Sequence, residues 1–178
     1  LTPIQKLFFA MDQVRPELGL QQWQFVLNGP LNTVRLRRAL VRVLERHEIL
    51  RCAFWEAADH QPLQQPMAVS DLPWEEEDWR ELFGAEPARR LAQRLVDDQR
   101  QGFDLRRPPL MRVRLIRLAD TTWHLIWTTH HLTLDGWSWP LVMGEWSRTY
   151  AALESGWAPA EAPALPFRQF VAWRLQNN

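Results

Sequence analysis

The 178-residue chain has the length of one compact domain or of one lobe of a larger one, and its 46% hydrophobic content can furnish a core. Its 21 basic and 21 acidic side chains cancel, which argues against nucleic acid or an anionic membrane as the main partner, because both select a basic surplus. No apolar run reaches the ~20 residues of a membrane span.

The single cysteine, Cys52, excludes an internal disulfide and fits a reducing, cytoplasmic setting. It reads as a small buried hydrophobe. The opening LTPIQKLFFAM lacks the basic n-region and cleavage site of a signal peptide. A first residue other than Met points to a segment of a longer protein. Eleven Trp beside one Tyr, with Lys6 the one lysine among the basic residues, reads as the compositional bias of a G+C-rich genome rather than as a ligand cage.

Thr2-Pro3 predicts an N-cap followed by proline at the first helical position, opening a short helix through about Met11. Gln22 to Leu27 reads as a strand closed by Asn28-Gly29-Pro30. The next segment is a helix capped by Asn32 or Thr33. Leu36, Leu40, Val43, Leu44 and His47 share its apolar face, and Arg35, Arg38, Arg42 and Arg46 form a solvated face opposite. His47 reads as a satisfied core histidine or a partner of the helix C-terminus. Arg51 to Trp55 follows as a strand. The prolines of residues 58 to 85 and the acidic run Glu75 to Asp78 suggest loop with one short strand.

Pro87 to Arg100 has the pattern of an amphipathic helix, with Ala88, Leu91, Leu95 and Val96 inward and Gly102 near its C-cap. Leu110 to Leu118 and Thr122 to His130 are long apolar strands, joined as a hairpin through Ala119-Asp120-Thr121. The first alternates imperfectly with Arg112, Arg114 and Arg117, which leaves one face wet. The second is apolar on both faces and therefore central. A helix begins near Trp137, lined by Val142, Trp146, Thr149, Tyr150 and Leu153. A last one spans Phe167 to Leu175, with Phe167, Phe170, Val171 and Leu175 inward. The mixture is α/β or α+β around a sheet with at least one covered face.

THHLTLDGWS, Thr129 to Ser138, either sets His131 to perform chemistry at the end of an apolar strand or closes a buried turn with a structural His pair. Neighbouring strand residues point to opposite faces, so His130 and His131 cannot both look into one pocket. His131 shares its side with Trp123, Leu125, Trp127 and Thr129. Asp135 stands ready to cap the next helix or to form a buried ion pair. The diverging histidines, with no further His or Cys group, do not make a metal site. Ser138 lacks the strained elbow of a nucleophilic serine.

These residues resemble motifs of the nonribosomal peptide synthetase condensation domain, within the chloramphenicol acetyltransferase-like superfamily. THHLTLDGWS is similar to its HHxxxDG motif with a WS tail, and RHEILRCAF (Arg46 to Phe54) to its RHExLRxxF motif. LTPIQKLFF (Leu1 to Phe9) resembles the first motif, with Pro3 and Lys6 where Ala and Arg are common. FRQFVAW (Phe167 to Trp173) resembles YxDYxxW, departing at Phe167 and Gln169, and FDLRRPPLMR (Phe103 to Arg112) fits a frequent segment. The later motifs around GxFVNT and RDTSRNP do not occur. The resemblance therefore implies the first lobe of a domain about twice this length, with the C-terminal lobe absent from residues 1–178. It also implies a two-layer α/β sandwich whose mixed sheet is covered by helices.

The resemblance further implies amide formation between a donor acyl or peptidyl thioester and the amine of an acceptor aminoacyl thioester. Both ride on phosphopantetheine arms of carrier proteins, and the domain binds no cofactor of its own. In that reading His131 is the base or a hydrogen-bonding partner of the amine, and the Gly136 N–H faces the oxyanion across a tight turn. His130 and Asp135 are structural, with Arg51 as the ion-pair partner implied for Asp135. Trp137 and Ser138 line the channel, although packing explains Trp137 equally well. Partners are the carrier proteins, the second lobe and adjacent synthetase domains, and the fragment alone is expected to be inactive and prone to dimerise. Two alternatives are epimerisation of a carrier-bound aminoacyl group, disfavoured by Trp137 where Val is usual, and a non-catalytic recruitment module of the same fold.

Overall fold

The computed structural model describes residues 1–69, 71–156 and 164–177. The order is α1 (Pro3–Asp12), β1 (Leu20–Asn28), α2 (Thr33–Arg46), β2 (Cys52–Glu56), β3 (Pro62–Pro66), β4 (Trp74–Asp78), α3 (Glu86–Gln101), β5 (Met111–Ala119), β6 (Thr122–His130), α4 (Ser138–Glu154) and α5 (Phe167–Gln176), with 3-10 turns at Pro16–Gly19 and Glu48–Arg51.

The main sheet runs β1-β6-β5-β4, and β2 and β3 form a separate hairpin. β6 is antiparallel to β1 and β5, whereas β4 lies parallel to β5. The sheet is mixed, with the doubly apolar β6 inside it, as its composition requires. Trp127 faces Trp23 on one neighbour and Val113 on the other.

The odd-numbered residues of β5 and β6 form one face with α2 and α4 against it. Leu40 and Leu44 of α2 are 0% exposed, each worth roughly 1.5–3 kcal/mol on burial. Trp146 of α4 donates its indole N–H to the Leu36 carbonyl at 2.9 Å and sets its ring edge-on to Trp127 at 5.5 Å. The even-numbered residues Ile116 and Ile126 pack with Leu91 and Leu95 of α3 on the opposite face. Among the described residues no helix is long and apolar enough to cross a membrane.

Several elements depart from their sequence pattern, each for a tertiary reason. The arginine face of β5 is not wet, because α3 covers it. Arg114 is 8% exposed, held by Glu75, by Glu77 at 2.9 Å and by Asp98 at 3.4 Å. The acidic run Glu75 to Asp78 is β4, and it supplies two of those carboxylates. Within α3 the buried residue is Asp98, while Val96 is 40% exposed. Arg46 is not on a solvated face but reaches Glu145 at 2.8 Å. Two strands, β3 and β4, occupy the stretch expected to hold one. No residue of α5 is buried; Phe170, Trp173 and Leu175 are all exposed. Cys52 is buried, and its burial pushes the thiol up to about 12, so it packs as an inert apolar side chain.

Candidate active site

Strand alternation separates the histidines as the spacing demands. His130 ends β6, fully buried on the α3 side. Its Nδ1 accepts the Leu132 amide at 3.1 Å, so Nε2 carries the proton and donates to Asp12 Oδ1 at 3.2 Å. Phe103 meets the ring edge-on. His130 is a bracket that joins β6, α1 and the turn after β6.

Gly19 makes that bracket possible. Its carbonyl takes the His131 amide at 2.8 Å, and a Cβ on Gly19 would lie 2.2 Å from His130 Nε2. Gly19→Ala is therefore expected to expel the ring from its place and break the Asp12 pair, at about 1–3 kcal/mol of overpacking. Chemical unfolding checks this; an unchanged midpoint would contradict it.

His131 leaves the strand on the other side, half-buried, with its ring stacked on Phe8 at 4.3 Å and 6°. It lines a cleft of about 530 Å³ walled by the start of α1, the 3-10 turn at Glu48–Arg51, the turn after β6, the first turns of α4, and Phe167, Phe170 and Arg174 of α5. Burial holds its pKa below the ordinary imidazole value; nearby His130 adds to this, while Asp135 and a hydrogen bond to the Leu134 backbone pull the other way. The ring is thus biased to its neutral, basic form and is reachable from the cleft.

The turn that presents the ring is fixed from two directions. Gln5, at the third position of α1, closes a capping box with Thr2 and donates its side-chain amide to the Leu132 carbonyl at 2.9 Å. Asp135 Oδ1 accepts the amides of Trp137 at 3.1 Å and Ser138 at 2.7 Å, and its carbonyl takes the Trp139 amide. Burial resists its ionisation, but these hydrogen bonds outweigh burial and hold its pKa below the ordinary carboxylate value. Asp135 therefore caps α4.

The expected ion pair with Arg51 does not form. Arg51 donates Nη1 to the Met67 carbonyl at 2.7 Å, because the β2–β3 pairing brings that carbonyl alongside it. Asp135→Ala should consequently cost about 1 kcal/mol, the size of a lost cap, and not the ~3–5 kcal/mol of a broken buried pair. A loss above 3 kcal/mol on chemical unfolding would restore the ion-pair reading.

Gly136 is exposed, without a left-handed φ, and an added Cβ meets nothing within 4 Å, so a tight turn does not require glycine here. Among the described residues no acceptor takes its N–H. Ser138 lines the cleft with His131 and Asp135, but Trp137 stands 89% exposed outside it. Among the described residues no cluster of His, Cys, Asp and Glu could hold a metal ion.

The sequence pattern did not mark Gln5, Phe8 or Glu145 as site residues. Glu145 is buried on the apolar face of α4 and binds His47 Nε2 at 2.8 Å beside Arg46. Burial resists the ionisation of Glu145, yet His47 and Arg46 keep its pKa below the ordinary value. His47 is thus a satisfied histidine at the end of α2, although its ring also lines the cleft. A signal existed for Gln5, since Thr2-x-x-Gln5 has capping-box spacing.

Comparison with known proteins fits this geometry. The chain is 41% identical along its whole length to one of the linear gramicidin synthase proteins of Brevibacillus parabrevis, covering 4% of that protein. It is 39% identical over 88% of its length to chondramide synthase cmdD of Chondromyces crocatus, again covering 4%. The starter condensation domain of rhizomide synthetase RzmA superposes with a TM-score of 0.83 at 21% identity, over 99% of this chain and 43% of that one. The first condensation domain of the calcium-dependent antibiotic synthetase, solved with a substrate analogue, gives 0.79 at 26% identity over 93% and 39%. The chain thus spans about two fifths of those solved chains. With the turn after β6 holding the HHxxxDG residues against α1 and α4, and the Condensation domain family model matching residues 1–178, the chain belongs to the condensation domain family.

Proposed function

We propose that the chain is the first lobe of a condensation domain that joins a donor thioester to an acceptor amine, both delivered on carrier-protein arms, with His131 at the reacting centre. The observation that carries this reading is the His131 ring: half-buried, biased to the neutral form, and open to a cleft.

The amine nitrogen attacks the thioester carbonyl, the C–S bond breaks, and the thiol departs with the proton that the nitrogen gives up. A neutral imidazole can accept that proton and pass it to the thiolate. Proximity of two tethered reactants supplies on the order of 7–11 kcal/mol, and the base about 10²–10⁴ in rate. The Gly136 N–H supports the developing oxyanion. The exposed apolar residues of α5, with Ile4 and Leu7 of α1, form the surface that a second lobe covers. The isolated segment is therefore inactive and self-associates through it.

The test uses the intact domain with two loaded carriers, the products resolved by mass and by chirality. An amide joining donor to acceptor supports the reading. An inverted α-carbon without amide would assign epimerisation, and carrier binding with neither product would assign recruitment.

A further inference from the structure

His47 is a second imidazole on the wall of the cleft that holds His131. It stands half-buried at the end of α2, where the chain enters the 3-10 turn at Glu48–Arg51. Its Nε2 lies 2.8 Å from Oε2 of Glu145 on α4. Arg46 meets the other oxygen of that carboxylate at 2.8 Å. Glu145 is buried and does not line the cleft, so the Nε2 edge of the ring is turned away from the cavity.

The chemistry of this contact fixes the tautomer. A carboxylate only accepts, so His47 Nε2 carries the hydrogen. Arg46 already balances the charge of Glu145, and the three side chains are neutral together with His47 uncharged. The second ring nitrogen, Nδ1, is then a bare lone pair. Among the described residues it accepts no hydrogen bond, and it is not buried. Other acceptors on the same wall are engaged: Gln5 Oε1 takes the Thr2 amide at 2.9 Å, and Asp135 Oδ1 takes the amides of Trp137 and Ser138. At about 530 Å³ the cleft has the size of a site for one small ligand. A substrate that brings its reacting atoms to His131 therefore lies along the wall that His47 helps to form.

From this arrangement we infer that His47 is a substrate-binding residue: its Nδ1 accepts a hydrogen bond from an N–H of the tethered substrate, while Glu145 holds the ring by Nε2. The inference rests on the proposed function and adds a contact to it. Such a substrate carries two kinds of N–H close to its thioester. One is the attacking amine, and the other is the amide two carbons from the sulfur on the phosphopantetheine arm.

The test uses the intact domain labelled with ¹⁵N-histidine. The His47 signals are assigned by their loss in His47→Gln, which keeps a donor for Glu145, and those of His131 by their loss in His131→Ala. The free domain is expected to show His47 as the Nε2–H tautomer. Two probes are titrated, the glycyl thioester of N-acetylcysteamine, which carries the tether amide, and the glycyl thioester of pentanethiol, which does not. The His131 signals report arrival in the cleft. The His47 Nδ1 signal is expected to move with them, with both probes if the amine is the donor and with the first alone if the tether amide is. His47→Phe, which removes the acceptor, is expected to raise the KM for the glycyl N-acetylcysteamine thioester roughly 3–10-fold at nearly unchanged kcat, the size of one lost hydrogen bond made equally in ground and transition states. A purely structural role would lower the melting temperature without that split. A proton on His47 Nδ1 in the free domain, or an Nδ1 signal that stays in place while those of His131 move, would overturn the inference. Should His47→Phe fail to fold, the titration of the wild-type domain decides alone. Probes that move neither ring would instead defeat the proposed function, because the cleft would not be where the substrate binds.

Discussion

His131→Ala in the intact domain is expected to lower the single-turnover rate of amide formation by about 10²–10⁴, the contribution of a positioned base, with little change in melting temperature. The two effects separate because the ring is half-exposed and its principal packing partner is Phe8. Losing one stacked pair costs about 0.5–1.5 kcal/mol. Because burial keeps the pKa of His131 below its ordinary value, the base form persists through neutrality. The step that depends on it should fail only below pH ~6.5, where the ring takes up a proton. His131→Asn distinguishes proton transfer from placement of the amine, since the amide can accept a hydrogen bond but cannot take the proton. A rate within tenfold of wild type for His131→Ala would remove the imidazole from the chemistry.

Asp98→Ala carries the largest expected loss of stability, about 3–5 kcal/mol, the cost of stripping one partner from a buried ion pair. Asp98 is 1% exposed. Its carboxylate meets Arg112 and Arg114, each at 3.4 Å, and accepts the Thr128 hydroxyl at 3.3 Å. Burial opposes the charge on Arg114, but Glu77, Asp98 and Glu75 outweigh it and raise its pKa. Glu75 and Glu77 remain in the variant to neutralise Arg114. Arg112 is more vulnerable, because its other hydrogen bonds go to the carbonyls of Asp98 and Gly102.

The consequence should reach the candidate active site. Arg112 lies over the Phe103 ring at 4.4 Å, and Phe103 meets His130, the bracket that anchors the His131 turn. Chemical unfolding of the intact domain measures the loss. A change under 1 kcal/mol would mean that the two arginines find other partners, and that the cluster does not hold α3 to the sheet.

Much of this architecture is legible in the chain because it depends on local order. The ends of β6 coincide with the run Thr122 to His130, since an uninterrupted apolar run has one place to go, the middle of a sheet. Thr2, Asn32 and Gly102 mark helix ends through chemistry confined to one turn. The opposite directions of His130 and His131 follow from strand alternation alone.

What stayed hidden depends on partners distant in sequence. Nothing in the spacing of α3 shows that its buried residue is an aspartate, because the arginines that receive it lie on β5. The same holds for Glu145 with His47 and for Gln5 with Leu132. Arg51 looked like the partner of Asp135 only until the β2–β3 pairing, which periodicity does not specify, delivered the Met67 carbonyl to it. The apolar side of α5 read as a core face because amphipathic spacing records that a surface is covered without recording by what.

The most direct test is a structure of the intact domain with a stable analogue that joins donor and acceptor at the reacting atoms. The analogue's amine nitrogen is expected within hydrogen-bonding distance of the His131 ring, about 2.6–3.2 Å, in the cleft between α1 and α4. An analogue bound with that nitrogen elsewhere, and with His131 facing only protein, would contradict the assignment of His131 to the reacting centre.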